Sequence, residues 1–256
     1  MRRPGDGANR DAATLPAPPV LERGHALFLD FDGTLVDIAA KPDLVRVGPE
    51  LPRLLNTLSE WLGGALSILS GRPVDELARL LAPFAGVIVG QHGLERRSAD
   101  GIVTQLSVTP TLQAIRAMLA DFAAQTDGVS LEDKGATLSL HFREAPARAA
   151  KCRAIARRAV DVSGGAVDIT EGKMVIELVP EGGGKGGAIA GLLVEPPFKG
   201  RIPVFVGDDS ADEEGFRVIH RLGGISVHVG DGVTAAGYRL ATVGDVKSWL
   251  AAFLQD

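Results

Sequence analysis

Four short apolar runs, at 26–29, 65–69, 86–89 and 203–206, set the narrowest limit on what this chain can fold into. Each is four or five residues long, does not alternate with polar residues, and is closed by Gly, Ser or Asp. Runs of that kind are strands buried on both faces. Helical patterns lie between them. Leu51, Leu54, Leu55, Leu58, Trp61 and Leu62 repeat at the three-and-four spacing of one helix face, and Pro73 opens another helix through Leu77, Leu80 and Leu81. Strands alternating with helices predict an α/β fold whose doubly wound, mostly parallel sheet is covered on both sides.

The middle of the chain follows a different period. Thr109-Pro110 starts a helix with Leu112, Ile115, Leu119 and Phe122 on one face. Residues 136–142 then alternate with period two, the mark of a strand with one polar face. A helix over about 147–160 carries Arg148, Lys151, Arg153, Arg157 and Arg158, read as a solvated face, and strands follow near 166–169 and 174–179. The α-β-β-α-β-β order predicts an α+β insert over 106–180, an antiparallel sheet with helices on one side, within a larger domain formed by 21–105 and 181–256. Residues 1–20, rich in Arg, Pro, Ala and Gly, are expected to form a flexible tail.

Composition removes several function classes. The 27 Lys+Arg against 32 Asp+Glu leave a net charge of −5, so no broad basic field exists for nucleic acid or an anionic membrane. No apolar run approaches the ~18 residues of a membrane span. The single cysteine, Cys152, cannot form an internal disulfide and fits a reducing compartment. With no signal-peptide pattern at the start, a cytoplasmic protein is expected.

Chemistry concentrates at strand ends. Asp30-Phe31-Asp32-Gly33-Thr34 closes the first run, and the two carboxylates two residues apart point the same way in extended backbone. Their repulsion is most easily met by a bound cation, and Gly33 permits a sharp exit from the strand. The second run ends in Ser70-Gly71-Arg72, where a hydroxyl and backbone N–H groups can hold an anion. The late run ends in Gly207-Asp208-Asp209, followed by Asp212, Glu213 and Glu214. Ligands of doubly wound sheets gather at the carboxyl ends of strands, so Asp30, Asp32, Ser70, Asp208 and Asp209 are expected to converge. Oxygen-only ligands suit a hard ion, most simply Mg²⁺. Lys185 adds a cation at the start of a helix over 188–193. Carboxylates, a hard metal, a hydroxyl and a lysine together make a site for phosphoryl transfer.

These motifs, in this order, resemble those of the haloacid dehalogenase-like phosphatases. The resemblance implies that Asp30 attacks phosphorus to give an aspartyl-phosphate and that Asp32 serves as general acid and then base. It further implies that Ser70 and Lys185 hold the phosphate oxygens. Asp30, Asp208 and the main-chain carbonyl of Asp32 would bind Mg²⁺, with Asp209 and Asp212 just beyond the direct ligands. Gly33, Thr34, Gly71, Arg72 and His92 are expected to line the bound substrate. The insert is similar to the cap of trehalose-6-phosphate phosphatases through Glu132-Asp133-Lys134-Gly135, His141-Phe142-Arg143, Glu171-Gly172-Lys173-Met174 and Glu177. Gly90-Gln91-His92-Gly93 and the 229–240 segment belong to the same likeness. By that analogy Glu132, Lys134, His141, Arg143, Lys173 and Glu177 hold the sugar, and hinges near 105–109 and 179–183 close the cap over Asp30. The expected partner is a small-molecule sugar phosphate, with no nucleic acid and no membrane, and the expected state is a monomer. Two departures stand out: Ser210-Ala211 replaces the family's more frequent Thr before Asp212, and Val36-Asp37 replaces a small residue and Pro.

Other sequence patterns in the chain support rival readings. Gly182-Gly183-Gly184-Lys185-Gly186-Gly187 satisfies the G-x-G-x-x-G pattern of dinucleotide-binding oxidoreductases, although Glu181 would stand beside the pyrophosphate. A non-catalytic sugar-phosphate sensor would be expected to lose one of Asp30, Asp32, Lys185 or Asp208, all of which are present. Phosphatases for sucrose phosphate or mannosyl-3-phosphoglycerate share the core and differ in the cap.

Overall fold

The computed structural model describes residues 15–39, 44–105, 110–133, 137–172, 174–180 and 183–252. The first stretch of the fold comprises β1 (His25–Asp30), α1 (Glu50–Trp61), β2 (Leu66–Leu69), α2 (Val74–Leu80), β3 (Val87–Gly90), β4 (Glu95–Arg97) and β5 (Val103–Gln105). A second group follows: α3 (Pro110–Ala124), β6 (Ser130–Asp133), β7 (Leu138–His141), α4 (Ala149–Ser163), β8 (Val167–Gly172) and β9 (Val175–Pro180). The chain then adds α5 (Gly184–Leu193), β10 (Ile202–Gly207), α6 (Asp212–Arg221), β11 (Ile225–Val229), β12 (Tyr238–Leu240) and α7 (Val243–Ala251).

The first and third groups share an eight-stranded sheet in the order β12-β11-β10-β1-β2-β3-β4-β5. It is parallel from β12 to β3, and β4 and β5 add an antiparallel hairpin. All six residues of β1 are buried, as a strand covered on both faces must be. Apolar side chains of α1, α2, α5, α6 and α7 close over the sheet: Leu55, Leu77, Ile189, Phe216 and Leu250 belong to one core cluster with Phe28 and Phe205. Chain order fixes where a ligand can sit. From β1 the sheet grows one way through β2 and β3, and the later chain grows the other way through β10, β11 and β12. The crevice of such a sheet opens where that direction reverses, between the carboxyl ends of β1 and β10.

The second group forms its own antiparallel sheet, β6-β7-β9-β8. Leu138, Leu140, Ile176 and Leu178 pack with Ile115 and Leu119 of α3 and Cys152 and Ala156 of α4 in a separate core. The opposite sheet face is polar. Glu132, Ser139 and Glu177 lie side by side in register across β6, β7 and β9. Thr137 and His141 share that face of the chain through the period-two alternation that marked this segment in the sequence.

Three expectations change. The helix expected at 188–193 begins at Gly184, so Lys185 lies within its first turn. Glycine permits this because the turn is crowded: a Cβ on Gly186 would meet Val218 and Glu214 of α6. The dinucleotide reading fails for the same region, since β9 belongs to the antiparallel sheet and the run is no parallel crossover. The tail boundary also moves. Residues 15–20 lie against the core, with the Pro16 carbonyl accepting from Arg239 N at 3.0 Å and the Pro19 carbonyl from Trp249 Nε1 at 2.9 Å. The rest of the expected tail, Lys134, Lys173, residues 106–109 of the first expected hinge and 181–182 of the second fall outside the described residues. No helix among the described residues is long and apolar enough to cross a membrane.

Candidate active site

Asp30 ends β1 and is buried, at 4% exposure, with its Oδ1 accepting from Lys185 Nζ at 2.5 Å. The same ammonium donates to Asp212 Oδ1 at 2.6 Å, so one lysine links the first strand to α6. Burial works against a charge on Lys185, but Asp212 and Asp30 outweigh it and hold the ammonium protonated well above its ordinary range. Asp212 uses its other oxygen to accept the backbone N–H groups of Asp208 and Asp209, at 2.9 and 3.1 Å. Asp209 completes the loop, its Oδ1 taking the N–H groups of Ala211 and Asp212 at 2.9 and 3.2 Å. The Ser210-Ala211 departure is thereby absorbed: the Asp209 carboxylate supplies the bonds that fix this turn.

Carboxylate oxygens of Asp30, Asp208 and Asp212 lie within 4.8 Å of one another. Thr34 Oγ1 donates to Asp208 Oδ1 at 3.3 Å, and a Cβ on Gly33, whose φ is +83°, would run into the Asp208 carboxylate. Only glycine serves both demands at that position. With Asp209, four carboxylates surround the single Lys185 ammonium. Burial, with repulsion from Asp209 and Asp208, pushes the Asp30 carboxyl up to about 7 against the pull of Lys185. Burial and the neighbouring Asp209 and Asp212 push Asp208 up to about 6. Excess negative charge of this kind, on oxygen donors alone, is what a hard divalent cation would neutralise, so the residues fit Mg²⁺. Asp212, expected just beyond the direct ligands, is within reach of the cluster but already serves Lys185 and two amides.

Asp32 is held apart from that cluster. Arg72 grips it with two bonds, Nε to Oδ2 at 2.6 Å and a terminal nitrogen to Oδ1 at 2.8 Å. The guanidinium also bonds Glu76 and lies 5.7 Å above the Phe31 ring. Arg72, expected as a substrate contact, lines the cleft and also holds Asp32. Ser70 is buried and its Oγ accepts from Arg72 N at 3.2 Å, which leaves its proton for another acceptor. His92 reaches the site from a strained turn in which Gln91 and His92 have φ of +46° and +54°. Its N–H bonds the Ser70 carbonyl at 3.0 Å, and its ring lies where a Cβ on Gly71 would stand.

These residues line a cleft of about 310 Å³: Asp30, Asp32, Ser70, Gly71, Arg72, His92, Lys185 and Asp209. A narrower cleft shares His92 and Lys185 with it and is bounded by Thr137, Glu177 and Val179 of the smaller domain and by Ser210 and Glu214 of the core. Glu177 is oriented by Ser139 Oγ, which donates to its Oε1 at 3.0 Å. His141 Nε2 and Glu132 Oε2 pair at 2.9 Å, both side chains well exposed. Arg143 is exposed and lines neither cleft. Thr137 and Glu214 were not singled out as site residues from the sequence. The polar parity of 137, 139 and 141 carried a signal for Thr137, whereas Glu214 is brought to the cleft only by the packing of α6 against α5.

Comparison with known proteins bears on the family and the fold. The family described as trehalose-phosphatase matches residues 28–242, a span that includes both sheets. A probable trehalose-phosphate phosphatase of Sinorhizobium fredii is 43% identical over 211 residues, covering 82% of this chain and 80% of the relative. The trehalose-6-phosphate phosphatase of Escherichia coli is 42% identical over 238 residues, or 92% and 89% of the two chains. The fold is like that of the Aspergillus fumigatus trehalose-6-phosphate phosphatase, with a TM-score of 0.75 at 24% identity over 93% of this chain and 98% of that one. A haloacid dehalogenase-like hydrolase from Bacteroides thetaiotaomicron shares it at TM-score 0.57 and 17% identity, over 87% and 97%. The matched span and the two close relatives lead to one conclusion: the chain belongs to the trehalose-phosphatase family.

Proposed function

We propose that this protein hydrolyses trehalose 6-phosphate to trehalose and phosphate through a phosphoryl group carried on Asp30. The observation that carries the reading is the buried Asp30–Lys185–Asp212 linkage beneath a cleft that the smaller domain walls with Glu177. Lys185 holds Asp30 in place and, with Ser70, offers donors to the phosphate oxygens. An Asp30 oxygen forms a bond to phosphorus as the bond from phosphorus to the sugar oxygen breaks. Asp32 gives its proton to the departing alkoxide. It then takes a proton from water, whose oxygen attacks phosphorus and releases phosphate and free Asp30. Arg72 orients Asp32 throughout, because a protonated carboxyl keeps lone pairs that accept from the guanidinium while its O–H is directed at the leaving oxygen. Asp30, Asp208 and the Asp32 carbonyl would hold Mg²⁺, which supplies charge neutralisation for the incoming phosphate.

The smaller domain acts as a cap in this reading. Glu132, Lys134, His141, Arg143, Lys173 and Glu177 hold sugar hydroxyls, and its closure excludes water. The enzyme is read as a cytoplasmic monomer, to which the lone Cys152, buried in the cap core, is suited. The test is phosphate release from a panel of sugar phosphates, with Mg²⁺ and with chelator, using Asp30→Asn as the blank. Preference for trehalose 6-phosphate that disappears with chelator and in the variant is expected. Preference for a different sugar phosphate would retain the chemistry and overturn the substrate.

A further inference from the structure

Thr137 is 3% exposed, and its hydroxyl has no hydrogen-bond partner among the described residues. Buried hydroxyls are ordinarily paired, because one left alone forfeits the bonds water would give it. Its location makes the exception informative. Thr137 lines the narrower cleft with Glu177 of its own domain and with His92, Lys185, Ser210 and Glu214 of the core. Ser139, two residues on and on the same face, spends its hydroxyl on Glu177. One hydroxyl of this face thus orients a neighbouring side chain, and the other is unspent at the edge facing Lys185.

We infer that Thr137 is a substrate-binding residue that pairs with a hydroxyl of the sugar attached to the phosphate. The chemistry suits an alcohol: a threonine hydroxyl both donates and accepts, whereas the adjacent Glu177 carboxylate only accepts. Together they can bracket a sugar hydroxyl or two neighbouring ones. Lys185 fixes the distance scale, since the phosphate it binds and the hydroxyl Thr137 binds belong to one molecule lying along one wall. The inference deepens the proposed function and rests on it for the identity of the sugar, but the role of Thr137 requires only a hydroxylated leaving group.

Thr137→Val removes the hydroxyl and keeps the shape, and Thr137→Ser restores the hydroxyl. Both are assayed beside the wild type on trehalose 6-phosphate and on 4-nitrophenyl phosphate, whose leaving group has no sugar hydroxyls. A neutral hydrogen bond present in both ground and transition states is read in KM. The expected result is a KM for trehalose 6-phosphate raised about fivefold to tenfold in Thr137→Val with kcat little changed. Serine should return KM toward the wild-type value, and kinetics on the aryl phosphate should be unchanged. An unchanged KM in Thr137→Val, or equal losses on both substrates, would overturn the inference. Should the valine variant fold poorly, Thr137→Ala is read by the same ratio. The wild-type panel separates the two readings: failure of trehalose 6-phosphate as the preferred substrate appears there alone. Failure of Thr137 appears as a variant-to-wild-type KM ratio of one on whichever sugar phosphate the wild type prefers.

Discussion

Replacing Asp212 with Asn tests the electrostatic frame of the site without changing its shape. One Asp212 oxygen accepts from Lys185 at 2.6 Å, and the other accepts two backbone N–H groups. Asparagine has only one accepting oxygen, and its amide donates. In one orientation the amide faces the Lys185 ammonium; in the other it faces the N–H groups of Asp208 and Asp209. Either way donors oppose donors in a fully buried position. Breaking a buried pair by removing one partner costs about 3–5 kcal/mol. Lys185 retains Asp30, which sets the expectation at the lower end, about 3 kcal/mol. For a chain of this size that is a drop in Tm of roughly 6–12 °C. Urea and thermal unfolding at neutral pH measure it, with Asp209→Asn as the control. That variant keeps the single oxygen that accepts from Ala211 and Asp212 and should lose under about 1 kcal/mol. An Asp212→Asn protein within about 0.5 kcal/mol of wild type would refute the reasoning. It would mean that Asp212 carries a proton in the native state and that Asp30 alone fixes the lysine.

The raised carboxyls predict a pH-dependent response to metal. Asp30, at about 7 when folded against an ordinary 3.8, holds its proton better in the native state, so its contribution to stability is complete below about pH 4 and lost as pH rises through 7. Metal-free protein should therefore have a lower Tm at pH 8 than at pH 5.5, and Mg²⁺ should raise Tm more at pH 8. Equal Mg²⁺ shifts at both values would count against the assigned cluster. Glu177→Ala should reduce kcat/KM for trehalose 6-phosphate by about tenfold to a hundredfold and spare 4-nitrophenyl phosphate. Equal damage to both would make Glu177 structural. Asp30→Asn should abolish turnover of every substrate while the far-ultraviolet circular dichroism stays unchanged, because it removes the attacking oxygen and little packing.

Much of the core was legible because buried parallel strands write themselves as unbroken apolar runs, and their carboxyl ends must carry the ligand groups. Asp30, Ser70 and Asp209 could thus be brought together from the sequence although they lie far apart along it. The β4–β5 hairpin was not: Glu95-Arg96-Arg97 and Val103-Thr104-Gln105 are too short and too polar to show a period. The grip of Arg72 on Asp32, 40 residues away, was hidden for another reason. A side chain at a helix start beside a serine reads as an anion contact, and nothing local says that a carboxylate of the protein is among its partners. Pro73 illustrates a smaller shift: expected in the first turn, it caps α2 with extended ψ of 145°.

The strip over residues 15–20 guards one rim of the larger sheet. β12 is the last strand on that side, and strand rims invite pairing with other chains. Leu15-Pro16-Ala17-Pro18-Pro19-Val20 meets it at Arg239 and carries three prolines, whose nitrogens have no proton. The strip accepts from Arg239 and Trp249, yet it offers few donors to anything approaching from outside. At Arg239 the β12 ladder thus meets a proline-rich segment poorly able to continue it, which works against edge-to-edge stacking at that point.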